Sequence, residues 1–590
     1  MTISPHSESA PTPSGGALVD AASKAVDRLQ SLARGSDTSR SVECRQRIAE
    51  AAAQGIESVG HALRHSDRDL PSRLPQLVED LKHVVVELAD APLSARWFLQ
   101  TQGLPARQWP GARDLRGTLG DALRVPSMQE IFDRLAPRSA LVFAARAAPL
   151  RVLVIVLLRD IRGATSASQH LIALDHRASV DCLEDMDVVD GTLYLNEAAA
   201  VRRAPGDLPH RLSSLGAPQR ISLHDAARRR LDALADSLLP LLRSIGGEAA
   251  DIGFVPCGDL HAMPWQYYFS THLSATLRLR LYLAASHWWR LHATPREAKS
   301  TMPRWALAAY DASDTGDLGD RLYWIKVEAL LSSRLWQGAG MVPIDADDDA
   351  LTASTALLAC GHGFAPDGNV SRAGVWIGTS HEREPGRTGK RSFLLLDAPA
   401  MARMTAVRRV VLSCCVLGRT ETVLGEPLGL MAQVFGSGSE FALGAIVHLG
   451  DLDATLFSLA FQYSLRSAYA RPRGHTLVDW VDVFHHLQEC LRNHRWPLGF
   501  AQWLAAELPR AMQAVVPSVA IARTADDAFH ARNGWHRLLS SLGAVLGVEA
   551  PVPRASQSWL AFYELLSRTL ANRPPEQLRR AAPWMVALGS

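Results

Sequence analysis

Leu357-Leu-Ala-Cys-Gly-His-Gly363 and Val410-Val-Leu-Ser-Cys-Cys-Val-Leu-Gly418 decide how this chain is read. Each opens as a short apolar run bounded by small residues, a composition that suits a strand buried on both faces of a parallel sheet. Each ends abruptly in a reactive side chain, His362 in the first and Cys415 in the second. In an open α/β sheet, ligands bind outside the carboxyl ends of the strands. Two parallel strands ending in His and Cys would therefore set a base and a nucleophile on one rim.

The chemistry available to such a pair is acyl transfer. A thiol attacks as its thiolate, and a neighbouring imidazole can take the proton and later give it to a leaving amine. The histidine comes first and the cysteine follows about 50 residues later, an order and spacing known in one class of cysteine proteases. The tetrahedral oxyanion needs donors, and the backbone N–H groups of Gly363 and Cys415 are the natural ones. Gly363 lets the backbone approach a ligand closely. The competing reading is plain packing: cysteines are common in buried strands, and Cys360 and Cys414 are expected to be core residues.

Working outward, the chain has 590 residues, 47% hydrophobic and 21% charged, with a formal net charge of +2. That length suits two to four domains and a large core. The near-zero charge gives no electrostatic case for nucleic acid or an acidic membrane surface. Seven scattered cysteines without a C-x-x-C speak against a disulfide framework and against a zinc site, and no metal or other cofactor is expected. Met1 to Glu8 lacks the basic and apolar regions of a signal peptide. The longest apolar run, Leu150 to Leu158, is far shorter than the roughly 20 residues of a membrane span. A cytoplasmic protein is expected.

Residues 1–16 are rich in Ser, Pro and Gly and read as a disordered tail. Residues 17–135 carry apolar side chains at helical spacing and form a helical N-terminal module. Ala140 to Ala145 and Val152 to Leu158 read as a strand pair, and a long helix is expected over about Leu223 to Ile245. Phe254-Val-Pro-Cys-Gly-Asp-Leu-His-Ala-Met-Pro-Trp265 reads as a buried strand followed by a tight turn. From about residue 301 a second α/β layer begins. Strands are expected at Trp305 to Tyr310, Thr355 to Cys360, Val410 to Cys414 and Ala442 to Leu449. Gly374 to Gly378 and Ser392 to Asp397 should pair as a hairpin. Helices are expected at Asp320 to Leu335, Pro427 to Phe435 and Asp451 to Tyr469, with further helices after about Thr476.

Several segments invite over-reading. Gly386-Arg-Thr-Gly-Lys-Arg-Ser392 lacks the G-x-x-x-x-G-K-[S/T] spacing of a phosphate loop and reads as a loop beside the site. The acidic run Asp345, Asp347, Asp348 and Asp349 reads as a helix cap or a solvated loop. His485-His486 and His448 read as structural or surface residues.

Four segments, in order, resemble the CHAT family of caspase-like peptidases. Ala140 to Leu158 resembles its opening strand pair, and Phe254 to Trp265 its P-x-G-x-L-x-x-L-P-(aromatic) signature. Leu358-Ala-Cys-Gly-His-Gly363 resembles its histidine strand. Val411-Leu-Ser-Cys-Cys-Val-Leu-Gly418, followed by Gly425-Glu-Pro-Leu-Gly-Leu430, resembles its cysteine block. The likeness spans roughly 135–508. It implies a mostly parallel caspase-like α/β sheet with flanking helices, a degenerate half at 136–300 and an active half at 301–520; beyond it, 521–590 reads as a helical C-terminal tail. It implies that Cys415 is the nucleophile, that Cys414 stands where the family has a buried Ala, and that His362 is the base. The sequence departs from the family where Val447-His448-Leu449-Gly450 replaces a Trp-bearing strand.

The resemblance further implies a cysteine endopeptidase that cuts a specific protein partner in bacterial defence or regulated cell death. A pore-forming gasdermin-like protein would be such a partner, and a protein activator could dock on the helical module. Glu426, Asp451 and Asp453 are candidates for a pocket that would hold an Arg or Lys before the scissile bond. Two alternatives stay open: a non-enzymatic caspase-like scaffold, and a small-molecule acyl hydrolase built on the same dyad.

Overall fold

A computed structural model describes residues 15–34, 42–65, 73–101, 126–148, 150–175, 186–189, 192–195, 217–272, 277–293, 302–310, 323–337, 341–343, 354–361, 363–364, 374–381, 391–396, 406–414, 421–423, 426–428, 430–436, 439–446, 449, 451–471, 478–515, 574–575, 578–579, 582 and 585–589. Helices α1 (Gly15–Arg34), α2 (Val42–His65), α3 (Arg73–Leu88) and α4 (Ala91–Thr101) come first. A short helix, α5 (Met128–Arg134), follows. Its start is written in a capping box: Ser127 Oγ accepts the Glu130 N–H, and the Glu130 carboxylate accepts the Ser127 N–H.

The first half of the sheet opens with an antiparallel meander of β1 (Ser139–Ala148), β2 (Arg151–Arg159) and β3 (Thr165–Ala173). A small hairpin of β4 (Met186–Val189) and β5 (Thr192–Leu195) stands apart from the main sheet. Then come α6 (Ala217–Glu248), β6 (Asp251–Pro256), a 3-10 turn at Gly258–Ala262, α7 (Trp265–His272), β7 (Arg278–Leu281) and α8 (Ala285–Ala293). The second half contributes β8 (Trp305–Ala309), α9 (Tyr323–Leu335), β9 (Met341–Pro343) and β10 (Ala356–Cys360). It continues through β11 (Gly363–Phe364), β12 (Gly374–His381), β13 (Arg391–Leu396) and β14 (Arg409–Ser413). After these come β15 (Glu421–Val423), β16 (Glu426–Leu428), α10 (Leu430–Gly436), β17 (Phe441–Ala445), α11 (Asp451–Ala470), α12 (Trp480–Arg492), α13 (Phe500–Val515) and β18 (Met585–Gly589).

Eleven strands form one sheet in the order β3-β2-β1-β6-β7-β18-β17-β14-β10-β8-β9. Every pair from β17 to β9 is parallel, as are β1 with β6 and β6 with β7. β18 runs parallel to β7 and antiparallel to β17, so the two halves point in opposite directions and meet at this strand. Within the second half, the order β9-β8-β10-β14-β17 is a doubly wound one. Its switch point lies between β8 and β10, where the connections diverge to opposite sides. The expected architecture, a mostly parallel α/β sheet in two halves flanked by helices, is therefore present.

Strand alternation explains how the sheet is covered. Leu357 and Ala359 of β10 and Val410 and Leu412 of β14 face one core, which also takes Ala140, Val142 and Phe254 from the first half. Ala356, Leu358 and Cys360 face a second core built on α9, α11, α12 and α13. On that same side of the first half, Leu141, Phe143, Leu153 and Ile155 pack with α1 to α4 in a third core. The helices expected as an N-terminal module thus share their core with the sheet.

Several features differ from the sequence reading. The C-terminal stretch expected to be helical ends in a strand, β18; residues 516–573 lie outside the described residues. The helix expected from Pro427 begins instead at Leu430, because Pro427 and Leu428 pair with β15 as a hairpin. β3 and β7 were not anticipated. Among the described residues, no helix is long and apolar enough to cross a membrane.

Candidate active site

β10 sits between β8 and β14, and the register is set along the whole of both pairs. Cys360, the last residue of β10, pairs with Ser413, the last residue of β14, and with Ala309 of β8. The Tyr310 N–H donates to the Cys360 carbonyl at 3.2 Å, extending the ladder to the strand's end. Beyond it, Gly361 is buried. The chain then leaves the main sheet: Gly363 pairs with Val375 and starts the separate sheet β11-β12-β13. His362 lies between these two points and Cys415 lies directly after Cys414; both are outside the described residues.

The Ser413-Cys414 pair splits across the sheet. Cys414 turns into the first core, where its thiol donates to the Ala359 carbonyl at 3.3 Å. It packs as expected. Ser413 turns to the opposite face, where its hydroxyl donates to Glu328 Oε2 at 2.8 Å. Glu328 lies on α9 and is 1% exposed. The same carboxylate oxygen accepts the Thr455 hydroxyl of α11 at 3.2 Å. The Ser458 hydroxyl and the Cys360 thiol also reach this carboxyl.

α9 and α11 meet along a buried polar seam. At the rim, the Trp324 N–H donates to Asp451 Oδ2 at 3.3 Å. Glu328 with Thr455 forms the next rung, and Trp336 Nε1 donates to Gln462 Oε1 at 3.1 Å further down. The seam holds its acids in a low-dielectric setting. Burial raises the Glu328 pKa from 4.5 to about 7, against the hydroxyls of Ser458 and Ser413 and the Cys360 thiol, which pull it down; the nearby Asp451 charge adds to the rise. Burial likewise raises Asp451 from 3.8 to about 7, offset by the Trp324 N–H. As a whole residue Asp451 is half-buried, but its carboxyl is enclosed against α9. Burial, then the Glu328 carboxyl, pushes the Cys360 thiol well above its usual range, which makes Cys360 an inert core thiol.

Among the pocket candidates, Asp451 and Asp453 stand in the first turn of α11, Asp453 being buried. Glu426 opens β16. The β15–β16 hairpin lies against the 3-10 turn Gly258–Ala262 of the first half. That contact brings the segment after the cysteine strand onto the Phe254 to Trp265 motif. The turn is held by the buried Trp265, whose Nε1 donates to the Leu260 carbonyl at 2.7 Å, and by its packing on Phe254 and Phe269. Asp345 to Asp349, His448 and most of the 379–391 loop lie outside the described residues. His485 is a structural residue, bound through Nε2 to the Leu279 carbonyl at 2.8 Å.

Glu328 was missed in the sequence. The signal was there: Trp324, Val327, Leu331 and Leu335 mark the apolar stripe of α9, and Glu328 sits one turn from Trp324 on that same stripe.

No protein-family model matches the chain, and no curated protein matches it. Two crystal structures of the Saccharomyces cerevisiae separase-securin complex are similar. One has a TM-score of 0.44 at 9% identity, and the other a TM-score of 0.40 at 10% identity. Each likeness covers 80% of this chain, which spans 39% of the length of the chain compared.

Proposed function

We propose that this chain is a caspase-like cysteine endopeptidase of the CHAT kind, with Cys415 as nucleophile and His362 as general base. The observation that carries the reading is the pairing of Cys360 with Ser413 on adjacent parallel strands beside the switch point. His362 and Cys415 follow these two residues by two positions each. Neighbouring strands lie about 4.8 Å apart. Two residues add at most about 7 Å to each chain. Both reactive residues therefore leave the sheet from the same rim, which supports a shared site.

In the first step His362 takes the Cys415 thiol proton, and the thiolate attacks the scissile carbonyl carbon. The backbone N–H groups of Gly363 and Cys415 take the oxyanion. His362 then protonates the leaving amine as the C–N bond breaks, and water hydrolyses the thioester to free Cys415. Glu426, Asp451 and Asp453 are the carboxylates available to a basic residue before the scissile bond. The substrate of this reading is a protein partner in bacterial defence or regulated cell death, such as a gasdermin-like pore former, cut in the cytoplasm.

The test is co-expression of the wild type, Cys415→Ala and Cys414→Ala with the products of adjacent genes, during phage infection, followed by mass spectrometry of new N-termini. A cut in a neighbour that vanishes with Cys415→Ala and survives Cys414→Ala is the expected result. Identical N-termini in all three samples would overturn the peptidase and favour a non-enzymatic scaffold.

A further inference from the structure

We propose that Glu328 is a positioning residue for the Cys415–His362 pair: one buried carboxyl ties together the ends of the two strands that lead into it. The proposal rests on the peptidase reading above. Ser413 Oγ donates to Glu328 Oε2 at 2.8 Å, and the Cys360 thiol reaches the same carboxyl from the next strand. Ser413 and Cys360 are register partners, and each stands two residues before its reactive side chain. Thr455 donates to the same oxygen from α11, so β10, β14, α9 and α11 converge on one side chain. All four residues are at least nine-tenths buried.

The placement is costly for a residue with packing alone to do. A buried carboxyl loses hydration that an apolar side chain of similar size would not need, and such replacements are often neutral or stabilising. What a carboxyl offers here, and Leu or Met does not, is an acceptor group fixed by a helix, bonded to the end of β14 and within reach of the end of β10. The strands below are apolar runs, and their ladders fix spacing along the strand. The carboxyl fixes the last side chain of each at the level where both chains turn off. Small displacements at that level matter, because misplacing a reacting group by about 1 Å can cost on the order of a hundredfold in rate.

The test is the rate of Cys415 alkylation by iodoacetamide in the full-length protein, followed by site-resolved mass spectrometry across pH 5 to 9 (roughly the range over which thiol and imidazole titrate). The samples are the wild type, Ser413→Ala, Glu328→Ala, Glu328→Gln and His362→Ala. His362→Ala should slow Cys415. Ser413→Ala and Glu328→Ala should each slow Cys415 by about tenfold and raise the pH midpoint of its labelling, a change in thiolate fraction that looser packing elsewhere would not produce. Buried Cys360 and Cys414 should stay unlabelled. Glu328→Gln keeps an acceptor oxygen for Ser413 and should restore most of the rate. Wild-type rate and midpoint in Ser413→Ala would overturn the brace, and this variant decides the matter even if Glu328→Ala fails to fold. Slowing that comes only together with labelling of Cys360 and Cys414 would also overturn it, as general loosening. An unchanged rate in His362→Ala would overturn the pair itself, and the brace with it.

Discussion

Glu328 and Asp451 share one enclosed setting, and both carboxyls titrate near pH 7 in the folded chain. In the unfolded chain they return to the ordinary values of 4.5 and 3.8. The folded state therefore holds these protons more tightly than the unfolded state does. Their contribution is fully present below about pH 4 and is lost as pH rises towards 7, after which the loss is complete. Glu328→Gln removes one of the two titrations. The groups that remain facing it are Asp451 on α11 and the Cys360 thiol on β10. Relative to wild type, the variant should gain on the order of 2 to 3 kcal/mol between pH 4.5 and pH 8. Urea unfolding at the two pH values measures this; an unchanged difference between variant and wild type would contradict the burial argument. At this scale Cys414 was legible, since it packs and donates to Ala359 as its place in the strand implied. The acid beneath it was harder to see. Its partners Ser413 and Thr455 lie 85 and 127 residues further along the chain, and no local pattern links them to Glu328.

β18 joins the halves with little ladder of its own on one side. A single register pair, Leu588 with Leu281, connects it to β7. Gln266 of α7 supplies the remainder: its amide donates to the Ala587 carbonyl at 2.8 Å and accepts the Ala587 N–H at 3.0 Å. Gln266→Ala leaves both buried backbone groups without those partners and should cost about 2 to 4 kcal/mol, read as a lower urea midpoint at unchanged slope. Gly589 closes the strand with φ 102°, and a Cβ there would meet the Glu440 carbonyl oxygen at 2.0 Å. Gly589→Ala should therefore destabilise the same joint. Most of the strands read from sequence, β1, β2, β6, β8, β10, β14 and β17, are apolar runs buried along most of their length. β3 escaped because it is an edge, and Thr165-Ser-Ala-Ser-Gln-His leaves most of its side chains partly exposed. β7 escaped because Arg278 and Arg280 alternate with its leucines, and β18 because a five-residue run at the end of a stretch read as helical carries no period of its own.

Across the whole molecule, the halves are held by more than β18. Arg280 of β7 is buried and bonds Asp251 of β6 at 3.3 Å and Asp479 at 2.7 Å. Asp479 also caps α12 by accepting the Val481 and Asp482 N–H groups. One guanidinium thus links the first half to the helical layer of the second. Arg280→Met should cost about 3 kcal/mol or more, because it leaves the facing carboxylates without their cation. Calorimetry would show a lower or split transition; an unchanged single transition would contradict the linkage. The N-terminal helices belong to the same assembly, since Trp97 and Phe98 of α4 share a core with Phe143 of β1. The sequence showed those helices as amphipathic but could not show what their apolar faces covered. All of this frames the carboxyl ends of β10 and β14. The most direct measurement is the competitive alkylation of all seven cysteines in the native protein near neutral pH, with His362→Ala alongside. Cys415 should react at least about tenfold faster than the other six, as an activated thiolate does, and lose that advantage in His362→Ala. Equal reactivity of Cys415 and the partly exposed Cys44 and Cys490, unchanged by His362→Ala, would contradict the account.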